Sequence, residues 1–222
     1  MLVSFEGIDG SGKSTQVRAV SRRLTQLGHE CVATFEPGAT QIGARIRQLL
    51  LDIRLTSMAP LTELLLFSAQ RVQHIEEIIA PALQSNKTVL VDRFTDSTIA
   101  YQGFGRGLDI SLIEALQRLT NRLTPEMTFL LDIDVAEGLR RIAALNKTDR
   151  MESESPDFYE RVRGGVPGDC RQGASEGCTP AIIEARRGTH RCHHGDDHRK
   201  ATAIEKNQQA EASYDECNSS PP

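Results

Sequence analysis

The sequence predicts an α/β fold, a doubly wound parallel sheet with helices on both faces, and three observations carry that prediction. Short apolar runs alternate with amphipathic stretches of helical period from residue 2 to about residue 145. Two of the runs, Thr88–Asp92 and Met127–Ile133, are nearly unbroken, as strands covered on both faces must be. A glycine-rich turn, Gly7–Ser14, joins the first run to the first helical stretch in the manner of a βαβ unit.

The elements follow in order. Leu2–Glu6 reads as a strand, and Lys13–Leu27 as a helix with Val17, Val20, Leu24 and Leu27 on one stripe. Glu30–Phe35 is a second strand, followed by helices over Gln41–Leu51 and Leu61–Gln84. Thr88–Asp92 is the third strand and ends in a carboxylate. Asp109–Asn121 is helical, Met127–Ile133 is the fourth strand, and Val135–Leu145 is a further helix. In such a sheet the ligand belongs at the carboxyl ends of the strands.

A chain of 222 residues, 39% hydrophobic and 25% charged, can bury one sizeable core. The net charge of −4 offers no basic field to a nucleic-acid backbone, and no apolar run is long enough to span a bilayer, so neither nucleic acid nor membrane is expected as a partner. Met1 leads directly into the first strand, which leaves no room for a signal peptide; a cytoplasmic protein with reduced thiols is the expectation.

Composition changes abruptly near Gly164-Gly165. Four of the five cysteines and four of the six histidines lie beyond it, and apolar residues lose any period. The expected organisation is therefore a catalytic domain over 1–165 and an atypical, disordered tail over 166–222. Pro167 and Gly168 break the preceding helix, and Ala181-Ile182-Ile183 is the one compact apolar cluster of the tail. We read the change as a shifted reading frame near Gly165, a hypothesis that resequencing this region tests. Cys170, Cys178, Cys192, His193, His194 and His198 lack the paired short spacings of a zinc site and are read as incidental.

The chemistry begins at Gly7-Ile8-Asp9-Gly10-Ser11-Gly12-Lys13-Ser14, a complete phosphate-binding P-loop between strand and helix. Its glycines let backbone N–H groups curl around phosphates, Lys13 reaches the β and γ groups, and the Ser14 hydroxyl can ligate Mg²⁺. A nucleoside triphosphate with Mg²⁺ is the expected ligand. Asp92 ends its strand as a metal-binding carboxylate does, Asp9 lies inside the loop, and the planar fork of Arg93 suits two phosphates at once.

Further segments resemble bacterial thymidylate kinases: Phe5–Thr15, Glu36-Pro37-Gly38, Leu66–Arg71, Asp92-Arg93-Phe94, Ser97–Gly103 and Asp149–Glu152, in that order, over about residues 1 to 165. The resemblance implies a P-loop NTPase nucleoside monophosphate kinase fold with a small lid over about 141–152. It also implies transfer of the ATP γ-phosphoryl group to dTMP, Mg²⁺ as cofactor, and a homodimer. An inactive nucleotide-binding protein disabled by its altered C-terminus, or a kinase for another monophosphate, are the alternatives.

The resemblance also suggests roles. Phe67 stacks on thymine and Arg71, at i+4, donates to a base carbonyl, with Arg47 a weaker candidate for the same pocket. Ser97, Thr98 and Gln102 surround the base, Tyr101 crowds the sugar 2′ position, and Glu36 and Pro37 border the acceptor. Lys13, Arg93 and Asp9 act at the phosphates, Asp9 being also a second candidate for the metal, while the lid supplies Arg141, Lys147 and Arg150. Ala39 stands where the family's Glu-Pro-Gly-Gly has its second glycine; a positive φ there costs alanine about 1 kcal/mol.

Overall fold

A computed structural model describes residues 1–120, 123–144 and 149–165 and the backbone of 182–187. Strand β1 (Leu2–Glu6) is buried along its whole length because parallel neighbours flank it on both edges, β3 (Thr88–Asp92) on one side and β4 (Met127–Leu131) on the other. Strand β2 (Cys31–Phe35) pairs in parallel with the outer edge of β3. The register aligns Phe5 with Asp92 and with Phe129, so the carboxyl ends of the three inner strands finish at one edge of the sheet.

A fifth strand, β5 (Ile182–Arg187), closes the other side of β4 in antiparallel sense, giving the order β2-β3-β1-β4-β5. This departs from the expectation of disorder throughout 166–222. The backbone groups of β4 on its outer edge need partners, and a six-residue segment from the tail supplies them. The remainder of the tail, with its cysteines and histidines, lies outside the described residues. The compact unit that the described residues form runs from Met1 to Gly188.

Helix α1 (Lys13–Gln26) begins directly at Gly12, whose φ is 94°, so the P-loop delivers its last amides to the helix N-terminus. Helix α2 (Gln41–Leu51) is capped by Thr40, whose hydroxyl accepts from Gly43 N–H at 2.9 Å. Helix α3 (Pro60–His74) starts on a proline, then widens into a π-helical segment, Ile75–Ile79, before the short α4 (Ala80–Gln84). A single helix over Leu61–Gln84 was the expectation. The wide turn is absorbed by burying Ile75 and Ile79 with Leu2, Val89, Val91 and Phe94 under one face of the sheet.

After β3 the chain turns at Arg93 into α5 (Thr95–Thr98) and a second π-helical segment, Ile99–Gly105. No periodic pattern announces either in the sequence. Helix α6 (Ile110–Thr120), helix α7 (Val135–Ala143, capped by Asp134) and helix α8 (Pro156–Gly165) complete the described elements. Phe158, Tyr159 and Val162 of α8 pack with Tyr101, Met151 and Ile8 in a second core beneath the P-loop. No helix among the described residues is long and apolar enough to cross a membrane.

Candidate active site

The P-loop holds its shape because glycine is required at two contacts. Gly7 has φ 139°, and a Cβ there would lie 2.3 Å from Leu131 O. Gly10 has φ 77° and sits so close to α7 that a Cβ would meet Gly138 O at 2.5 Å. Lys13 Nζ bridges the loop, donating to Ile8 O at 2.7 Å and Ser11 Oγ at 3.3 Å. Burial, then the nearby Arg93 charge, lower the Lys13 ammonium to about 8, which leaves it mostly charged at neutral pH, and an anionic phosphate beside it would favour the charged form further.

Ser14 Oγ donates to Asp92 Oδ2 across the mouth of the same loop. A hydroxyl and a carboxylate side by side are hard oxygen donors of the kind that Mg²⁺ takes, so these two residues fit the cation. Asp9 does not join them. Its Oδ1 accepts from Arg93 at 2.5 Å, and its Oδ2 accepts from the hydroxyls of Tyr101 at 2.9 Å and Tyr159 at 3.2 Å. Held by those three donors, Asp9 anchors the arginine, while its side chain still lines both pockets of the site. Burial raises its pKa, but the charges of Arg93 and Lys13 outweigh this and hold it at about 2.

Arg93 is the central cation. It adopts φ 69°, a left-handed conformation that costs an L-residue with a Cβ roughly 1–2 kcal/mol and aims the side chain back over the sheet edge. Its guanidinium donates to Gly7 O at 2.9 Å, Ser97 Oγ at 3.2 Å and Tyr101 Oη at 3.2 Å, and lies 4.9 Å from the centre of the Tyr101 ring. Burial alone would lower its pKa; Asp9 and the surrounding anions keep it well above the ordinary value, so it is a fixed positive charge.

Two pockets meet at this arginine. One is lined by Gly10, Gly12, Lys13, Ser14, Thr15, Asp92 and Arg141. The other brings together Glu36, Pro37, Arg47, Phe67, Arg71, Ser97, Thr98, Tyr101 and Gln102, with Leu51, Asp149 and Met151 completing its wall. Arg93, Asp9, Glu36 and Arg47 line both.

Within the second pocket the roles differ from a simple ring of ligands. The Glu36 side chain is turned inward: Oε2 accepts from Arg71 Nε at 2.7 Å and Gln70 Nε2 at 3.0 Å, and Oε1 pairs with His74 Nδ1 at 3.0 Å. Because a carboxylate only accepts, His74 Nδ1 is the donor, and its Nε2 faces Thr34 Oγ1 at 2.7 Å. Burial opposes ionisation of Glu36, but the Arg71 charge and the His74 hydrogen bond hold it below the usual carboxylate range. Glu36 is thus an anchor for Arg71, whose Nη2 also donates to Phe94 O at 2.9 Å, leaving Nη1 for the pocket. Arg47 is fixed by Pro37 O at 2.7 Å.

The lid residues divide. Arg141 reaches the P-loop, donating to Gly10 O at 3.2 Å while paired with Glu137 at 2.6 Å. Arg150, expected at the phosphates, is turned the other way: Nε donates to Leu50 O at 2.8 Å and Nη2 meets the buried Glu63 at 2.6 Å. A carboxylate in a dry environment attracts it more strongly than an open cleft does. Residues 145–148, including Lys147, lie outside the described residues. Ala39 takes no positive φ; the strain falls on Gly38, at φ 117°. Tyr159 and Leu51 had no signal in local spacing that tied them to the site, since each reaches it through tertiary packing, whereas Asp149 and Met151 lie in a segment that the resemblance singles out without giving them a role.

Residues 5–167 match the thymidylate kinase family model. The chain belongs to the thymidylate kinase family. It is 49% identical over 173 residues to the thymidylate kinase of Desulfovibrio desulfuricans, covering 74% of this chain and 80% of that protein. The thymidylate kinase of Geobacter sulfurreducens is 49% identical over 170 residues, covering 73% and 80%. The crystal structure of thymidylate kinase from Ehrlichia chaffeensis superposes with a TM-score of 0.61 at 40% identity, over 74% of this chain and 78% of that one. The family's parallel sheet with helices on both sides is the one described above. Asn146-Lys147-Thr148-Asp149 spells the Asn-Lys-x-Asp signature of P-loop GTPases, but it follows helix α7 instead of a strand and carries no such assignment here.

Proposed function

We propose that this family member transfers the γ-phosphoryl group of ATP to dTMP, giving ADP and dTDP. The observation that carries the reading is Arg93, a half-buried permanent cation anchored on Asp9 and lining both the P-loop cleft and the Phe67–Arg71–Gln102 pocket. Phosphoryl transfer needs little beyond alignment and neutralisation of charge, and a fork between two phosphate sites supplies both. In this reading the backbone of Gly7–Lys13 and the Lys13 ammonium cradle the β- and γ-phosphates. Ser14 and Asp92 would hold Mg²⁺, which adds Lewis-acid neutralisation of the phosphate oxygens. Phe67 and Arg71 hold the base, Asp9 fixes Arg93, and Tyr101, bound to both, stands beside the acceptor. No strong general base is required because the acceptor oxygen is already anionic.

The experiment is ADP release by the full chain with ATP·Mg²⁺ and dTMP, dUMP, CMP or GMP in parallel. Selective turnover of dTMP supports the proposal; ATP binding without turnover of any acceptor overturns it. A homodimer goes with this reading. Ile42 and Leu49 on α2, Leu61, Leu65 and Val72 on α3, and Leu112 and Leu119 on α6 are exposed at helical spacing, a face suited to a second copy. Light scattering that returns a monomer mass at working concentration would remove that part.

A further inference from the structure

Glu63 lies on α3, 1% exposed, and does not itself line the acceptor pocket. Its carboxylate is the centre of a buried ionic cluster. Arg106 forks onto it through Nε at 3.1 Å and Nη2 at 3.0 Å, Arg150 Nη2 reaches it at 2.6 Å, and Gln102 Nε2 donates to Oε1 at 2.8 Å. Glu154, 2.5 Å from Arg106, balances the second positive charge. Burial pushes the Glu63 pKa up, but hydrogen bonds from Arg106 and Gln102 and the charges of both arginines bring it below the ordinary value, so the group is ionised.

An ionised carboxylate only accepts hydrogen bonds, which settles the sense of the Gln102 amide. Its NH₂ end is committed to Glu63. Its oxygen accepts no hydrogen bond among the described residues and is the end left for the pocket that Gln102 lines. Thymine and uracil carry an N3–H that can donate to such an oxygen. Cytosine presents a bare N3 lone pair at the same position, so the two acceptors would face each other unpaired.

We infer that Glu63 is a specificity-setting positioning residue: by holding the Gln102 amide with its oxygen toward the pocket, it selects acceptor bases that offer an N3–H. The inference rests on the proposed function and refines it, because it assigns discrimination between dTMP and dCMP to a residue that touches neither.

The test compares kcat/KM for dTMP, dUMP and dCMP in the native chain and in Glu63→Gln. A glutamine at 63 offers either a donor or an acceptor, so the Gln102 amide is free to turn over. The preference for dTMP over dCMP is expected to fall about 10-fold or more, while that for dTMP over dUMP, which depends on the methyl group, stays within about 2-fold. An unchanged dTMP to dCMP ratio, or both ratios falling together as a loosened pocket would produce, overturns the inference. Should the variant fail to fold, the assigned ¹⁵N side-chain amide signals of Gln102 in the native protein decide. They are expected to keep their positions when dTMP saturates the pocket; collapse or a large shift, as when the NH₂ itself takes up the base, overturns it. A native chain that turns over no dTMP removes the proposed function, and these amide signals then judge the orientation of Gln102 separately.

Discussion

Arg93 Nη2 lies 2.5 Å from Asp9 Oδ1 while Nη1 of the same guanidinium lies 2.9 Å from Gly7 O. One planar group therefore ties the end of β3 to two points in the N-terminal half of the P-loop. Lysine has the charge but a single point donor, so Arg93→Lys is expected to lower kcat by about 10²–10³ with little change in fold. Steady-state kinetics beside a melting curve checks this, and a kcat within about tenfold of native would contradict it.

Phe67 supplies a large flat surface without polar atoms to the pocket. Its removal should weaken ground-state and transition-state binding of the acceptor alike, so Phe67→Ala is expected to raise the KM for dTMP by about 10- to 100-fold with kcat nearly kept. The KM for ATP should not move. A parallel rise in both KM values would mean that Phe67 supports the fold instead.

Glu6 gives a pH dependence with a definite sign. It ends β1, accepts Phe94 N–H at 2.8 Å and Ser97 O–H at 2.5 Å, and so holds the turn that aims Arg93. Burial first, and the Asp96 charge second, push its pKa from 4.5 up to about 7. Below the unfolded value both states are protonated and the contribution to stability is complete. As pH rises toward 7 the unfolded chain releases its proton first, so stability falls by up to about 1.4 kcal/mol per pH unit. Asp9, held at about 2, acts oppositely and only in acid: its contribution is present above 3.8 and lost as pH falls through 2. Urea midpoints across the Glu6 window should slope downward for the native chain and flatten in Glu6→Gln. Equal slopes would assign the effect elsewhere.

Gly138 on α7 is the floor under the P-loop. A Cβ there would lie 2.9 Å from Asp9 O, a rigid neighbour. Alanine gains about 1 kcal/mol of helix propensity, against about 1–3 kcal/mol for overpacking. Net stability should change little, while displacement of the loop weakens ATP binding several-fold. Calorimetric titration of ATP into Gly138→Ala measures that, and unaltered affinity would show that the loop yields freely.

The parallel strands and the P-loop were legible in the sequence because both signals are local, an apolar run for one and glycine spacing for the other. What escaped depends on partners distant in the chain. Glu36, in the turn after β2, reads as a ligand by residue type, but Arg71 and His74, on helix α3, draw it inward. Arg150 reads as a lid cation until Glu63 claims it. The tail segment Ile182–Arg187 has no strand pattern strong enough to stand alone; the open edge of β4 provides its reason to extend. The helical stretch from Thr95 to Gly105 was invisible because Gly103 and Gly105 weaken its propensity, and Phe158 and Val162 pack where a Cβ at Gly105 would stand.

That same stretch runs as a π-helix from Ile99 to Gly105, a wide winding that forgoes the compact hydrogen bonding of an α-helix in order to place Tyr101 and Gln102 on the pocket wall. Regularity and usefulness are thus opposed here. A redesign that shortened the segment by one residue to recover an ordinary helix would gain backbone stability and rotate these two side chains away from the acceptor. Thermostability screens on this scaffold should therefore be read together with turnover, because the changes that most improve the first at this wall are those that remove the second.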